Sequence, residues 1–387
     1  MPRRKVPAAT TAVAPEHLGP HDRLPAAREY TAGELQIWRD GRRGIRFGVH
    51  AQSQPVLITP DRRVTAAFSR GEVRSVRAAS GSRSWVHSER PYAVGWAAVD
   101  EDIVVTLTHG LVRLDRRGRP VWVHAPYPEK GEWIYTAPTV SGSRVFYGDR
   151  RGYLNCLDAE TGQPAWSVLT SKARNNDVNA TAAAWEDRVI VATNSRKLLC
   201  FEQATGKRIW EQRLDYGCIW PVVVRNGHVW VNTDTSLYEA SPETGEIAQR
   251  VRKPGHGIVS FEVCGDTLLV VLCPSTGQFS PTGVPAHLVG IRHGEEVFRR
   301  QYAQYVHPDL TFVPETGWVY ESGPQGIGII DPRSGQRLAS IREFGMSPHG
   351  YPDNMTTAPA VEGNTIYVAT SRGAIWALRH PDVGVAP

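Results

Sequence analysis

Short apolar runs recur along this chain, alternating with polar positions and stopped each time by a turn signal. The best-formed copy reads Ala137-Pro138, then Arg144-Val145-Phe146-Tyr147, Gly152-Tyr153-Leu154, Leu157-Asp158, Thr161-Gly162 and Trp166. The next has Ala182-Ala183, Arg188-Val189-Ile190-Val191, Leu199, Phe201-Glu202, Thr205-Gly206 and Trp210. Brief runs rich in β-branched and aromatic residues, bounded by Gly, Asp and Thr, predict strands rather than helices. Glycine supplies the positive φ of a tight turn, and the Asp before it can accept from the turn's N–H groups. An aromatic stands four residues after the turn glycine in four successive copies: Gly81/Trp85, Gly118/Trp122, Gly162/Trp166 and Gly206/Trp210. Its expected role is packing between neighbouring units, so Trp122, Trp166 and Trp210 are expected to be buried wedges.

Weaker copies continue to the C-terminus. The starts fall near residues 54, 95, 136, 180, 219, 258, 307 and 356. A period of about 40–50 residues carrying four short strands is that of a propeller blade. The eighth copy stops near His380, one strand short, while residues 34–49 read as a strand or hairpin ahead of the first copy. An open array would leave unpaired edges. The N-terminal segment is therefore expected to supply the missing outer strand. The fold expected is all-β: an eight-bladed β-propeller of four-stranded antiparallel blades, a single domain over residues 31–387 behind a flexible tail of residues 1–30.

The run G-x-L-x-x-L-D-x-x-T-G-x-x-x-W from Gly152 to Trp166 resembles the PQQ-type repeat. That repeat builds the propellers of quinoprotein alcohol dehydrogenases and of the BamB-like assembly lipoproteins. The resemblance covers roughly residues 35–380 and implies fold more than activity. Quinoprotein dehydrogenases typically carry two adjacent cysteines beside the cofactor, and no Cys-Cys pair exists here, so no quinone cofactor is expected. The assembly lipoproteins carry a lipid-anchored Cys near the start, whereas the first Cys here is Cys156.

Composition narrows the class. Hydrophobic residues make up 41% and charged residues 21%, which suits a soluble globular chain. The net charge of +5 is mild for 387 residues. The densest basic stretch, Arg39 to Arg90, includes Arg62, Arg63, Arg70, Arg74, Arg77 and Arg83, and acids such as Asp40, Asp61, Glu72 and Glu89 interrupt it. It is expected to be solvated outer surface, and no nucleic-acid partner is expected. The five cysteines are odd in number and lack CxxC spacing, which suggests neither a disulfide framework nor a zinc knuckle. No run approaches the ~20 apolar residues of a membrane span. Residues 1–30 hold no apolar stretch of signal-peptide length, so a cytoplasmic address is expected. Abundant Arg and Ala with few Lys suggest a high-GC bacterium.

With strands lettered A to D from the axis outward, the D-to-A loops between blades and the B-to-C loops within them share one face. The Thr-Gly turns lie on the other. The first face carries the candidate chemistry: Arg90, Tyr92, Glu132, Tyr135, Asn176, Asp177, His256, His307, His349 and Asp353. Aromatic walls with convergent polar groups suit a binding site. The function expected is a monomeric binding module whose polar channel mouth holds a small molecule, a peptide or a protein segment. The competing reading is an enzyme without a quinone cofactor, acting on a small molecule at the same mouth. His109, His256, His307 and His349 come from different blades and could converge on a metal, but no short-range ligand spacing supports one. The insertion from Cys273 to His287 is expected to be a surface loop over that face.

Overall fold

In the computed structural model, residues 27–40, 56–68, 72–88, 93–127, 133–274, 286–302, 309–323, 326–344, 358–370 and 373–383 are described. They form eight antiparallel sheets in series, one per repeat. Blade three shows the plan: Thr139–Ser141 innermost, then Arg144–Gly148, Tyr153–Asp158 and the outer strand Pro164–Leu169. The second and third strands of this blade are almost entirely buried, while the outer strand is mostly exposed.

Each blade has apolar residues on both faces, so each must be covered on two sides. Eight apolar clusters meet that need among the described residues, one between each pair of neighbouring blades, including blades eight and one. The core is thus a ring of interblade layers, and only a closed ring leaves no layer uncovered.

Closure uses the N-terminal segment, as the truncated eighth repeat implies. Gln36–Asp40 pairs antiparallel with Ile375–Arg379 and becomes the outer strand of blade eight. Arg28–Thr31 lies within the segment expected as tail up to residue 30. It forms a strand parallel to Arg337–Arg342, the outer strand of blade seven. Between them, Ala32–Leu35 is a single helical turn with a capping box, Thr31 and Glu34 each satisfying the other's backbone N–H. The N-terminal segment therefore clasps two blades. The rest of the expected closing segment, residues 41–49, lies outside the described residues, as do residues 1–26.

The aromatic wedges follow a rule sharper than the sequence expectation. Each outer-strand aromatic packs on the turn glycine of the next blade. Trp38 meets Gly81, Trp85 meets Gly118, Trp122 meets Gly162, Trp166 meets Gly206, Trp210 meets Gly245 and Phe298 meets Gly335. Four of these indoles also donate across the gap: Trp38 to the Ala78 carbonyl at 2.7 Å, Trp122 to Ala159 at 2.9 Å, Trp166 to Gln203 at 2.9 Å and Trp210 to Pro242 at 3.0 Å. Trp122 and Trp210 are buried as expected. Trp166 is only half-buried, because it sits on an outer strand that borders an open cleft.

The basic stretch departs from its expected solvated role at two positions. Arg63 ties blade one to blade two, donating to the carbonyls of Arg116 at 2.6 Å and Glu101 at 3.0 Å. Arg74 is fully buried at the closure, with Glu72 on one side, Asp40 at 3.3 Å and the Gly373 carbonyl at 2.5 Å. A guanidinium can be buried there because carboxylates and carbonyls surround it.

Candidate binding site

The described loops of blades two to six that share the mouth face are stitched to one another by backbone hydrogen bonds. Trp133 donates to the Thr108 carbonyl, Val178 to Asp149 and Cys218 to Thr193, each linking a D-to-A loop to the B-to-C loop of the blade before it, and Ile258 at the start of blade six's inner strand donates likewise to Asp234. Arg150 and Asn194 return the link, donating to Trp133 and Asp177. Over these blades the loops are thereby held to one another, a frame suited to presenting side chains.

Four of the expected site residues lie on the described part of this rim. Tyr135 and Asp177 converge on Arg150, whose guanidinium lies 5.5 Å over the Tyr135 ring and 3.6 Å from the Asp177 carboxylate. Asn176 has a structural duty: its amide donates to the Ser171 carbonyl at 2.8 Å and packs against Gly152. His256 opens the inner strand of blade six, with its Nδ1 3.1 Å from the Pro254 carbonyl oxygen. Arg90, Tyr92, Glu132, His307, His349 and Asp353 lie outside the described residues, as do residues 275–285 of the insertion. Among the described residues, no group of three His, Cys, Asp or Glu side chains is disposed to hold a metal, and no helix is long and apolar enough to cross a membrane.

Two places, one on this face and one opening from its edge between the outer parts of two blades, carry more chemistry than the sequence assigned. The first is the loop from Asp215 to Pro221. Asp215 accepts from Thr233 and Thr235 at 2.9 Å, from Ser236 at 2.6 Å and from Arg250 at 2.5 Å. Burial alone would raise its pKa, but the hydroxyls of Ser236, Thr233 and Thr235 outweigh it and hold the carboxyl well below the usual range. Burial and the Asp215 charge together push neighbouring Asp234 upward. Cys218 anchors the same loop, its Sγ donating to the carbonyls of Asn232 and Trp220. Burial raises its thiol to about 12, so it is held as a neutral packing group rather than a nucleophile. Tyr216, between these anchors, and Ile219, next to the second, remain 48% and 47% exposed.

The second is a cleft between blades two and three, a cavity of about 260 Å³. Blade two supplies His124 and the following Tyr127; blade three supplies Tyr147, Asp149, Asn155 and Ser167. Asp149 is 1% exposed and accepts four hydrogen bonds, all from uncharged donors: the N–H groups of Arg151 and Tyr153, the Asn155 amide and the Tyr127 phenol. Burial, reinforced by Asp149, pushes both the Tyr127 and Tyr147 phenols upward. Burial pushes His124 down, so it is neutral at pH 7, sharing a 3.0 Å hydrogen bond with the Tyr147 hydroxyl. The cleft interior therefore has one carboxylate and acceptor-rich walls. Arg151 lines its rim with an exposed side chain.

Known proteins bear on this architecture. A family model described as "Outer membrane protein assembly factor BamB" matches residues 69–184 and again 150–277, together more than half of the chain. Two curated relatives carry the same description. The one from Moranella endobia is 29% identical over 113 residues, 27% of this chain and 29% of its own length. The one from Burkholderia pseudomallei is 24% identical over 230 residues, 54% of this chain and 58% of its own length. Both matches span less than two thirds of the relative. The crystal structure of BamB from Moraxella catarrhalis superposes with a TM-score of 0.62 at 18% identity, over 89% of this chain and 98% of that one, which bears on the fold alone. With the repeat, the closed ring of eight blades and the family match in agreement, the chain belongs to the PQQ-type, BamB-like family of β-propeller repeat proteins.

Proposed function

We propose that this protein is a partner-binding propeller that recognises another polypeptide through its loop face, with the Asp215–Pro221 loop as anchor. The observation that carries the reading is the pairing of exposure with rigidity at Tyr216 and Ile219. Both are large, both are about half exposed, and both stand on a loop pinned by Asp215 and Cys218. Arg196 lies 5.4 Å over the Tyr216 ring and further fixes its orientation. Aromatic and apolar side chains presented with little freedom left to lose are what protein interfaces use as anchors. A flexible loop would lose more entropy on binding.

In its specific form the reading is a part in the assembly of outer-membrane proteins, the role in the names of the relatives. The alternative keeps the cytoplasmic address read from the sequence and gives the same face a partner there. Cell fractionation with immunodetection separates these two forms.

Site-specific photo-crosslinking tests the reading itself. A photoreactive phenylalanine at position 216 or 219 should yield a discrete adduct with one partner. The same group at Glu160 or Lys207, exposed on the opposite turn face, should not. Adducts confined to positions 160 and 207 would overturn the assignment of the working face.

A further inference from the structure

Two interblade clefts of this ring are filled by a guanidinium from the chain itself. Between blades four and five, Arg250 reaches Asp215 and lies 5.2 Å over the Tyr238 ring. Between blades six and seven, Arg300 lies 3.1 Å from Glu321 and 5.2 Å over the Tyr302 ring. The chemistry repeats: a carboxylate mostly shielded from solvent, a tyrosine and an arginine that enters from an outer strand.

The cleft between blades two and three has the carboxylate and the tyrosines, in Asp149, Tyr127 and Tyr147. The two positions from which an arginine could enter carry other residues. Arg250 pairs with Tyr238, and at the equivalent register in blade three Ser167 pairs with Asn155. Arg300 pairs with Leu288, and at the equivalent register in blade two His124 pairs with Leu111. Serine is too short to cross the cleft, and His124 is held neutral by burial. The result is a cavity of about 260 Å³ around a carboxylate that no cation pairs with among the described residues. The space exceeds a water molecule's share several-fold and suits one long side chain.

We propose that this cleft binds the guanidinium of an arginine side chain presented by the partner polypeptide. The proposal rests on the partner-binding reading above and names one side chain that the partner must offer. The acceptors are at hand. Tyr127 gives its proton to Asp149 and Ser167 gives its own to Asn155 at 2.7 Å, so both oxygens keep lone pairs free to accept. The tyrosine rings supply faces for a planar cation, and the Asp149 charge lies directly behind the phenol. Lysine fits less well, since its ammonium offers neither the planar stack nor the forked donors. Arg151 at the rim opposes an incoming cation, but it is exposed and screened by water.

The test uses the full chain and a blocked arginine, Nα-acetyl-arginine methylamide, titrated by isothermal calorimetry or NMR. Blocked citrulline, the uncharged isostere, is the control. Arginine should saturate with a dissociation constant in the millimolar range, and citrulline should bind at least about tenfold more weakly. Ser167→Arg places a tethered guanidinium at the register of Arg250 and should abolish binding of the free ligand. Asn155→Leu, the residue that blade four carries at this register as Leu199, is a second variant that removes an acceptor, and it should weaken binding at least about tenfold. Equal binding of citrulline, no arginine binding at concentrations far above the millimolar range, or full binding by folded Ser167→Arg would each overturn the proposal. A crosslink from position 216 that persists under any of these results would show that the arginine site alone has failed. Loss of that crosslink with arginine binding intact would remove the partner reading instead.

Discussion

Replacing Trp122 and Gly162, singly and together, probes the contact on which the ring depends. Trp122 is 8% exposed, lies on Gly162 of the next blade and donates to the Ala159 carbonyl. Burying an indole of roughly 200 Å² at about 25 cal/mol per Å² gives about 5 kcal/mol, an upper figure, and aromatic-to-alanine changes in cores cost about 3–5 kcal/mol. Trp122→Ala should therefore lose about 4 kcal/mol. Gly162 has φ of +70°, and a Cβ built there would lie 2.6 Å from Cδ2 of Trp122. Gly162→Ala then carries two costs: about 1–2 kcal/mol for a left-handed backbone and about 1–3 kcal/mol for displacing the indole. With Trp122 already gone, the second cost vanishes. The double variant should be more stable than the sum of the singles predicts by about 1–3 kcal/mol, the size expected for residues in direct contact. Urea denaturation followed by circular dichroism, with unchanged m-values, measures this. Losses that add to within about 0.5 kcal/mol would mean that the indole does not rest on Gly162, and that the interblade rule is wrong.

Three shorter expectations follow from the same contacts. Deleting residues 1–40 removes the outer strand of blade eight and should cause aggregation or non-cooperative melting, whereas deleting residues 1–26 should leave the melting profile unchanged. Asp215→Asn should reveal a pH-dependent contribution: with the native carboxyl depressed, its stabilisation is full above the unfolded value of about 4 and is lost as pH falls through the folded one. The difference between wild type and variant should hold from pH 7 to 5 and shrink below about pH 4; a flat difference down to pH 2 would contradict it. All five thiols are buried, so the native protein should resist a thiol-reactive dye until denaturant is added, and rapid labelling of any one would contradict the packing.

The fold was legible because its signals repeat. Turn glycines, the Asp before them and the aromatic after them recur wherever the same local duty recurs, and the count of copies implied a ring one strand short. Trp38 escaped the pattern although it is a wedge like the others. The residue four before it is Glu34 rather than a turn glycine, because the eighth blade borrows its outer strand from the opposite terminus. Arg74 escaped for a related reason. A charged residue in a basic stretch reads as solvated unless its partners are known, and here they are Glu72, Asp40 and a carbonyl of blade eight. A clasp between chain ends leaves no local trace in either end.

The site was legible only as a face. Antiparallel blades place the D-to-A and B-to-C loops together whatever their sequence, so reading the loops could collect polar residues without ranking them. Tyr135 and Asp177 do meet at Arg150, but Asn176 from the same loop is occupied with the backbone around Gly152. The stronger features lie where a repeat breaks its own rule. Asn155 and Ser167 are small and polar at a register where blade four has Leu199 and Glu211 and blade five has Tyr238 and Arg250. Each residue alone is an ordinary strand residue. Set against its counterparts, the pair is a deletion of volume beside a buried carboxylate, and it leaves a cleft of about 260 Å³ between two blades where longer side chains stand elsewhere in the ring. In a repeat protein the shared positions are committed to holding the ring together. A position that departs from the shared pattern, and leaves space by doing so, is therefore the place to look for recognition.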